Sequence, residues 1–388
     1  MASERERLNW LEQTYGENGP GLVGIGDDGA YLTLDAPHLV ASVDAAIESV
    51  HFRQTWLDWD AVAFRAVQAA LSDLAAMGAS PAAILSSASL PPNFSEAAFA
   101  ALARGTARSA KHSGARLIGG NLSSGPHVEL HTTVIGHVPK AEALLTRRGA
   151  SPGDTVWVTG PLGAAALGLR VLEHLLPSRH ADEDPFCHHP QPQRGEQSDS
   201  AAIPEVPHGQ ARVPIPNDGY ARSQIETCLA SSGIPERLRW LARACVARWQ
   251  TPSARIEAGL ALRLCASAAI DLSDGLSSDA AALARASGIM LLVDQPLPAP
   301  TFARTTGASV RTATAGLCAS LAAELGADWT HLQAHGGEDY ELLFTLPPDT
   351  EPPCAAFRIG RCLPGPATVN FIEPRLRQTR PLGFDHFL

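Results

Sequence analysis

Short apolar runs that stop at an aspartate recur along this chain, alternating with alanine-rich helical stretches, and this pattern constrains the fold more than any other feature. Apolar runs at 30–34, 38–43, 83–90, 115–120, 128–138, 155–159, 268–271, 291–293 and 340–345 read as strands bounded by turn residues. Helical periodicity is expected around Leu8, Trp10 and Leu11, from Trp59 to Met77, from about Ser95 to Ser113, over 236–248, and from 276 to about Ser287. Strands alternating with helices in both halves predict an α/β protein, or α+β layers, rather than a bundle or sandwich. No tandem period of 20–50 residues suggests a solenoid.

The chain's 388 residues, 45% of them hydrophobic, are enough for two domains with a core each. Turn chemistry at 148–154 leads into a new strand, so we expect an N-terminal domain over 1–139 and a C-terminal one over 140–388. Residues 181–220 break the pattern with seven prolines among Gln, Ser, His and acidic residues, and read as a disordered insertion. The net charge of −10 argues against a nucleic-acid partner, since counterion replacement on phosphates needs clustered Lys and Arg. No run approaches a membrane span, and the charged start lacks a secretory pattern. The seven cysteines, odd in number and without a CxxC pair, read as reduced thiols, and the expected location is cytoplasmic.

Asp27, Asp28, Asp44, Asp73, Asp271 and Asp274 are all expected in short loops at the ends of apolar runs. Each alone reads as a cap or turn residue. Two carboxylates about 4 Å apart repel by roughly 4 kcal/mol at an effective dielectric near 20, so convergence of several demands a divalent cation. Magnesium suits such a set because it prefers oxygen ligands, keeps waters and bridges carboxylates to phosphates. Gly119-Gly120 and Gly336-Gly337 read as glycine turns whose amides approach an anion, and Gly26 lies beside the first Asp pair. Neither GxGxxG nor a Walker loop occurs in a strand-to-helix setting.

These residues belong to longer motifs: GIGDDGA at 24–30, SVDAAIESVHF at 42–52, LSDLAAMGASP at 71–81, GGNLSSGP at 119–126, LTRRGASPGD at 145–154, AIDLSDGLSSD at 269–279, GGEDYELLF at 336–344 and GFDHF at 383–387. Taken in order, they resemble the thiamine-monophosphate kinases, members of the superfamily that includes aminoimidazole ribonucleotide synthetase. The resemblance implies a two-domain fold whose N-terminal domain dimerises through its sheet. It also implies transfer of the γ-phosphoryl group of ATP to thiamine monophosphate, with several magnesium ions, by a homodimer. Carried over position by position, it implies Asp28, Ser42, Asp44, Asp73, Asn121, Asp271 and Asp274 as metal ligands. It places Gly120, Asn121, Arg147 and Ser273 on ATP, and His51, Glu338 and Phe384 on the thiamine side. No covalent catalytic residue is implied, since phosphoryl transfer depends on positioning and charge neutralisation.

The chain departs from the family pattern at Asn121, where an aspartate is usual, and at Val43, Ala70, Ser124 and Ala164. An inactive paralogue that binds thiamine phosphate or nucleotide therefore stands as an alternative, as does a related ATP-dependent synthetase. His51 has an equally ordinary reading as a half-buried structural histidine, and Phe384 as an anchor for the C-terminus. Cys187-His188-His189 lacks a partner pair at zinc spacing.

Overall fold

The alanine-rich stretch that begins at Trp59 becomes the helix around which both halves of the molecule are arranged. The computed structural model describes residues 4–15, 22–23, 31–32, 38–177, 220–300 and 308–376. A first helix, α1 (Glu4–Tyr15), precedes a two-stranded pairing of β1 (Leu22–Val23) and β2 (Tyr31–Leu32). Then come β3 (His38–Ile47), α2 (Trp59–Ala76), β4 (Ser80–Leu90), α3 (Glu96–His112), β5 (Arg116–Ser124) and β6 (Glu129–Val138). The four longer strands form one sheet in the order β3-β6-β4-β5, antiparallel except for the β4–β5 pair.

Period two gives this sheet two different faces. Val40, Leu130, Val134 and Ala88 are buried beneath α2 and α3, whereas Leu39 and Val43 on β3 are exposed on the other side. The start of α3 is set by Ser95, whose hydroxyl accepts from the Ala98 amide at 3.2 Å, and Lys111 and His112 complement its C-terminus.

The second sheet follows a short 3-10 turn at Ala141–Ala143. Its strands are β7 (Thr155–Val158), β8 (Ala268–Asp271), β9 (Met290–Val293), β10 (Leu342–Leu346), β11 (Phe357–Leu363) and β12 (Val369–Phe371), in the order β12-β9-β11-β7-β10-β8. Among its strands in sequence come helices α4 (Ala164–Leu175), α5 (Tyr220–Ser231), α6 (Glu236–Gln250), α7 (Ile256–Leu262), α8 (Leu276–Ser287), α9 (Ala308–Glu324) and α10 (Trp329–His335); α8 packs on the sheet, whereas α4, α5, α6 and α9 share a core with Phe52, Trp59, Phe94 and Leu130 of the first half. Of the expected insertion, Tyr220 opens α5, and the rest lies outside the described residues, as does Cys187-His188-His189.

Helix α2 is buried nearly all round because it packs on the first sheet and also reaches the second. Ala75 and Ala76 at its end join Leu145, Leu262, Ala269, Leu342 and Phe344 in one apolar cluster. Each fully buried Leu or Phe there contributes roughly 1.5–3 kcal/mol, so the two sheets are fastened where the functional loops emerge.

Two expectations change. Gly119-Gly120 is no turn: β5 runs straight through both glycines to Ser124. A Cβ on Gly120 would lie 1.8 Å from the Ser86 carbonyl oxygen, so the close approach of β4, rather than a reversal of the chain, requires glycine. Asp44 lies within β3 and Asp73 within the last turns of α2, not in loops. Their side chains thereby take fixed directions from regular backbone. Among the described residues, no helix is long and apolar enough to cross a membrane.

Candidate active site

Alternation along β3 carries Ser42 and Asp44 to the same face as the core residue Val40, the face that α2 covers. Asp73, on α2, meets them there: the Ser42 hydroxyl donates to Asp73 Oδ2 at 2.5 Å. Strand β8 of the second sheet ends beside the same helix with Asp271, which is 4% exposed. Burial pushes the Asp271 carboxyl up to about 7, the Asp73 and Asp44 carboxylates add to the rise, and the Ser72 hydroxyl and Arg147 guanidinium oppose it. Thus Asp44 and Asp73 from the first half and Arg147 from the second all act on the Asp271 carboxyl.

Two loops from the second half close round Asp271. The first, 272–275, is held by Asp279 in the opening turn of α8, which accepts from the amides of Asp274 at 3.1 Å and Gly275 at 3.0 Å. Asp279 is itself raised to about 8, first by burial and then by Asp271 and Asp274. The second loop, 336–341, runs alongside. The Glu338 amide donates to the Ser273 carbonyl at 2.7 Å, the Tyr340 amide to Leu272 at 2.9 Å, and the Leu272 amide to Glu341 at 2.8 Å. Gly337 makes this pairing possible, since a Cβ there would stand 2.4 Å from the Ser273 oxygen. The Gly336-Gly337 pair therefore belongs to a tight loop, in agreement with its sequence reading.

The loop carries strain. Glu338 and Tyr340 both have left-handed backbones, with φ of 68° and 50°, a conformation that costs a non-glycine residue on the order of 1–3 kcal/mol and needs surrounding structure to impose it. That structure is ionic. Glu341, wholly buried, accepts from Arg248 at 2.5 Å, from Arg255 and from the Thr159 hydroxyl at 2.7 Å. Asp339 caps the start of α4, accepting from the amides of Gly163 at 2.7 Å and Ala165 at 3.3 Å, and burial raises it to about 7. Glu338 pairs with Arg65 of α2 and accepts from the Trp249 indole N–H. Burial pushes the Tyr340 hydroxyl well up; Arg65 opposes this, while Glu338, Asp44 and Asp271 add to it.

The remaining expected residues are spread around this centre. Ser273 and Asp274 are half-buried in the first loop. The Arg147 side chain is exposed, and its backbone is fixed by the Ser287 hydroxyl, which donates to the Arg147 carbonyl at 2.9 Å. His51, half-buried in the turn after β3, accepts from the Ile47 amide at Nδ1, 3.1 Å away, which leaves the proton on Nε2. Gly120 shares a row with Asp44, through Thr132 and Ser86, but on the far edge strand. Asn121 lies in the next row, Ala45–His131–Ser87–Asn121, and so on the opposite face of the sheet, about 14 Å from β3 at the usual strand spacing. Within one chain its side chain does not join Asp44 and Asp73. Asp28 and Phe384, with Gly26 and Asp27, fall outside the described residues.

Among the described residues, no three His, Cys, Asp or Glu side chains already form a metal cage. The donor set nonetheless fits magnesium. It consists of hard oxygens, Asp44, Asp73, Asp271 and the Ser42 hydroxyl, and magnesium is commonly held by one or two carboxylates, waters and substrate phosphates. A cation here would also relieve the repulsion that raises Asp271. Sequence reasoning missed Arg65, Trp249, Asp279 and the Glu341–Arg248–Arg255 group. Only Arg65 left a trace, as the one cation in an otherwise apolar stretch of α2.

Residues 26–138 match the family model for the AIR synthase related protein, N-terminal domain. Among curated relatives, the thiamine-monophosphate kinase of Salmonella typhimurium is 32% identical over 84% of this chain and 76% of its own length. That of Aquifex aeolicus is 25% identical over 94% and 92%. Among solved structures, AaThiL complexed with AMPPCP and TMP superposes with a TM-score of 0.65 at 22% identity, covering 99% of this chain and 97% of that one. A thiamine-monophosphate kinase from Stenotrophomonas maltophilia K279a gives 0.64 at 26% identity, covering 95% of each. The hydrogenase maturation protein HypE in complex with ATP shares the fold at 0.58 and 15% identity.

Proposed function

We propose that this chain, which belongs to the thiamine-monophosphate kinase family, transfers the γ-phosphoryl group of ATP to the phosphate of thiamine monophosphate, giving thiamine diphosphate and ADP. The observation that carries this reading is the meeting of Asp44 and Asp73 from the first half with Asp271 and Arg147 from the second. Donor and acceptor are both polyanions, and their approach has to be paid for by cationic groups in one cleft.

Asp44, Asp73, Asp271 and Ser42 would hold magnesium, with Asp28 and Asp274 as further ligands. Bound there, it supplies neutralisation of the phosphate oxygens and a template for in-line transfer. Arg147, exposed at the rim, offers a fork of N–H donors to phosphate oxygens. Ser273 and the Gly120 amide belong to the nucleotide side in this reading, and His51, Glu338 and Phe384 to the acceptor side. With Nδ1 of His51 accepting from the Ile47 amide, Nε2 is the nitrogen that can donate. No residue needs to remove a proton, because the acceptor phosphate is already ionised at neutral pH.

The division at 139/140 is part of the proposal, as is a homodimer formed through the open face of the first sheet. Leu39 and Val43, 63% and 61% exposed, are apolar side chains that such an interface would cover. Asn121 lies on that same face, so its contribution would depend on the assembled dimer. A cytoplasmic location fits free cysteines and a small-molecule phosphotransfer.

The separation of Asn121 from Asp44 favours one second reading, a binder without turnover. The test is formation of thiamine diphosphate from the monophosphate by purified protein with ATP and saturating magnesium. Turnover supports the kinase. Silence in the wild type, with activity appearing in Asn121→Asp, would establish the binder instead.

A further inference from the structure

The carboxylate of Glu338 is held on both oxygens by the protein itself. Arg65 Nη2 donates to Oε1 and Trp249 Nε1 to Oε2. The Arg65 guanidinium lies 4.3 Å over the Trp249 ring, and its Nη1 donates to the Trp249 carbonyl. Arg65 is nearly buried, with a side chain 7% exposed, whereas the Glu338 side chain keeps 27%. The arrangement therefore presents the carboxylate outward and hides the cation behind it.

Two consequences follow for anything that binds against Glu338. Its charge is already balanced by Arg65, so it is not a free counter-ion for a cationic ring. Its orientation is also fixed, and each oxygen retains a lone pair for an incoming N–H donor. An ion pair this poorly hydrated is costly to keep unless its geometry is used, and breaking it on one side leaves an uncompensated charge. Arg65 lies two turns from Asp73 on α2, roughly 12 Å along the axis at 1.5 Å per residue. One rigid helix thus sets the distance between Asp73 at the phosphate end and the Arg65–Glu338 pair at the ring end.

We propose that Arg65, together with Trp249, is a positioning residue that fixes Glu338 as a charge-balanced hydrogen-bond acceptor for the ring of the acceptor substrate, and so sets acceptor specificity. This rests on the kinase reading with Glu338 on the acceptor side. The experiment compares KM for thiamine monophosphate, KM for ATP and kcat in the wild type, Arg65→Met, Arg65→Lys, Glu338→Gln and the Arg65→Met/Glu338→Gln double variant. Arg65→Met is expected to raise KM for thiamine monophosphate by about tenfold or more while KM for ATP stays within about twofold. Arg65→Lys, which retains the charge, recovers part of the loss. The double variant is no worse than Glu338→Gln alone, because the two residues act as a unit.

An unchanged KM for thiamine monophosphate in Arg65→Met overturns the inference, as do equal rises in both KM values or multiplicative losses in the double variant. Should Arg65→Met fail to fold, Trp249→Phe carries the test. It keeps an aromatic ring but removes one donor to Glu338, and is expected to raise KM for thiamine monophosphate alone, by about threefold; no change overturns the inference. A wild type that neither binds nor phosphorylates thiamine monophosphate overturns the kinase reading and this inference with it. Wild-type turnover with unaltered Arg65 kinetics overturns this inference alone.

Discussion

Raising the pH of the metal-free protein should weaken its fold, and magnesium should restore much of the loss. Asp271 has a folded-state pKa of about 7 against an ordinary 3.8, with burial the largest cause and Asp73 the next. A carboxyl whose folded pKa is raised costs nothing below its unfolded value. The penalty grows as pH climbs from about 4 to about 7 and is complete above that. At 1.36 kcal/mol per pKa unit, a rise from 3.8 to about 7 corresponds to a penalty on the order of 4 kcal/mol for this fully buried group. Asp279, raised to about 8, extends the decline to higher pH. A cation on the Asp44, Asp73 and Asp271 oxygens favours the charged form and removes the Asp271 share. Asp339, raised to about 7 at the start of α4 and away from that group, is the internal control whose share magnesium leaves in place. The assay is urea denaturation between about pH 5 and pH 8, with and without magnesium, for the wild type and Asp271→Asn. Stability of the metal-free wild type should fall across that range, less steeply in Asp271→Asn, and magnesium should help only the wild type. A flat profile, or an Asp271→Asn profile parallel to the wild type, would refute the reasoning.

Three other outcomes follow from the geometry. Glu341→Gln removes the buried partner of Arg248 and Arg255 and should cost about 3–5 kcal/mol in urea denaturation, since it strands two cations. Gly120→Ala puts a methyl group against the Ser86 carbonyl and should destabilise by about 1–3 kcal/mol or more, read as a lowered denaturation midpoint. Val43→Asp places a charge on the open face of the first sheet and should shift the proposed homodimer to monomer in size-exclusion chromatography with light scattering. A Val43→Asp protein that remains dimeric would remove that face from the interface.

Much of the scaffold was legible because periodicity is local. The run at 128–138 predicted β6 to within a residue, and the alanine-rich stretch from Trp59 predicted α2. Gly119-Gly120 misled because a glycine pair in sequence looks the same whether it turns the chain or lets a neighbouring strand approach. Only the Ser86 carbonyl, over thirty residues away in sequence, distinguishes the two. Helices α4, α5, α7, α9 and α10 and strands β11 and β12 went unassigned, and the Pro-rich stretch between 181 and 219 lies outside the described residues. At the site, the motifs singled out Asp44, Asp73 and Asp271, but their meeting depends on how α2 packs against β8, which no spacing encodes. Arg65 was invisible for a related reason. Its partner Glu338 is 273 positions away, and its loop takes a left-handed turn that Gly337 permits but does not announce.

The most direct measurement is calorimetric titration of a non-hydrolysable ATP analogue, with and without magnesium, into the wild type, Asp44→Asn and Asp271→Asn. These carboxylates come from different halves of the chain and should serve one bound nucleotide. Both variants are predicted to lose the magnesium-dependent part of the affinity. Unchanged magnesium-dependent affinity in either one would contradict the account, because that carboxylate would then stand outside the phosphate cleft.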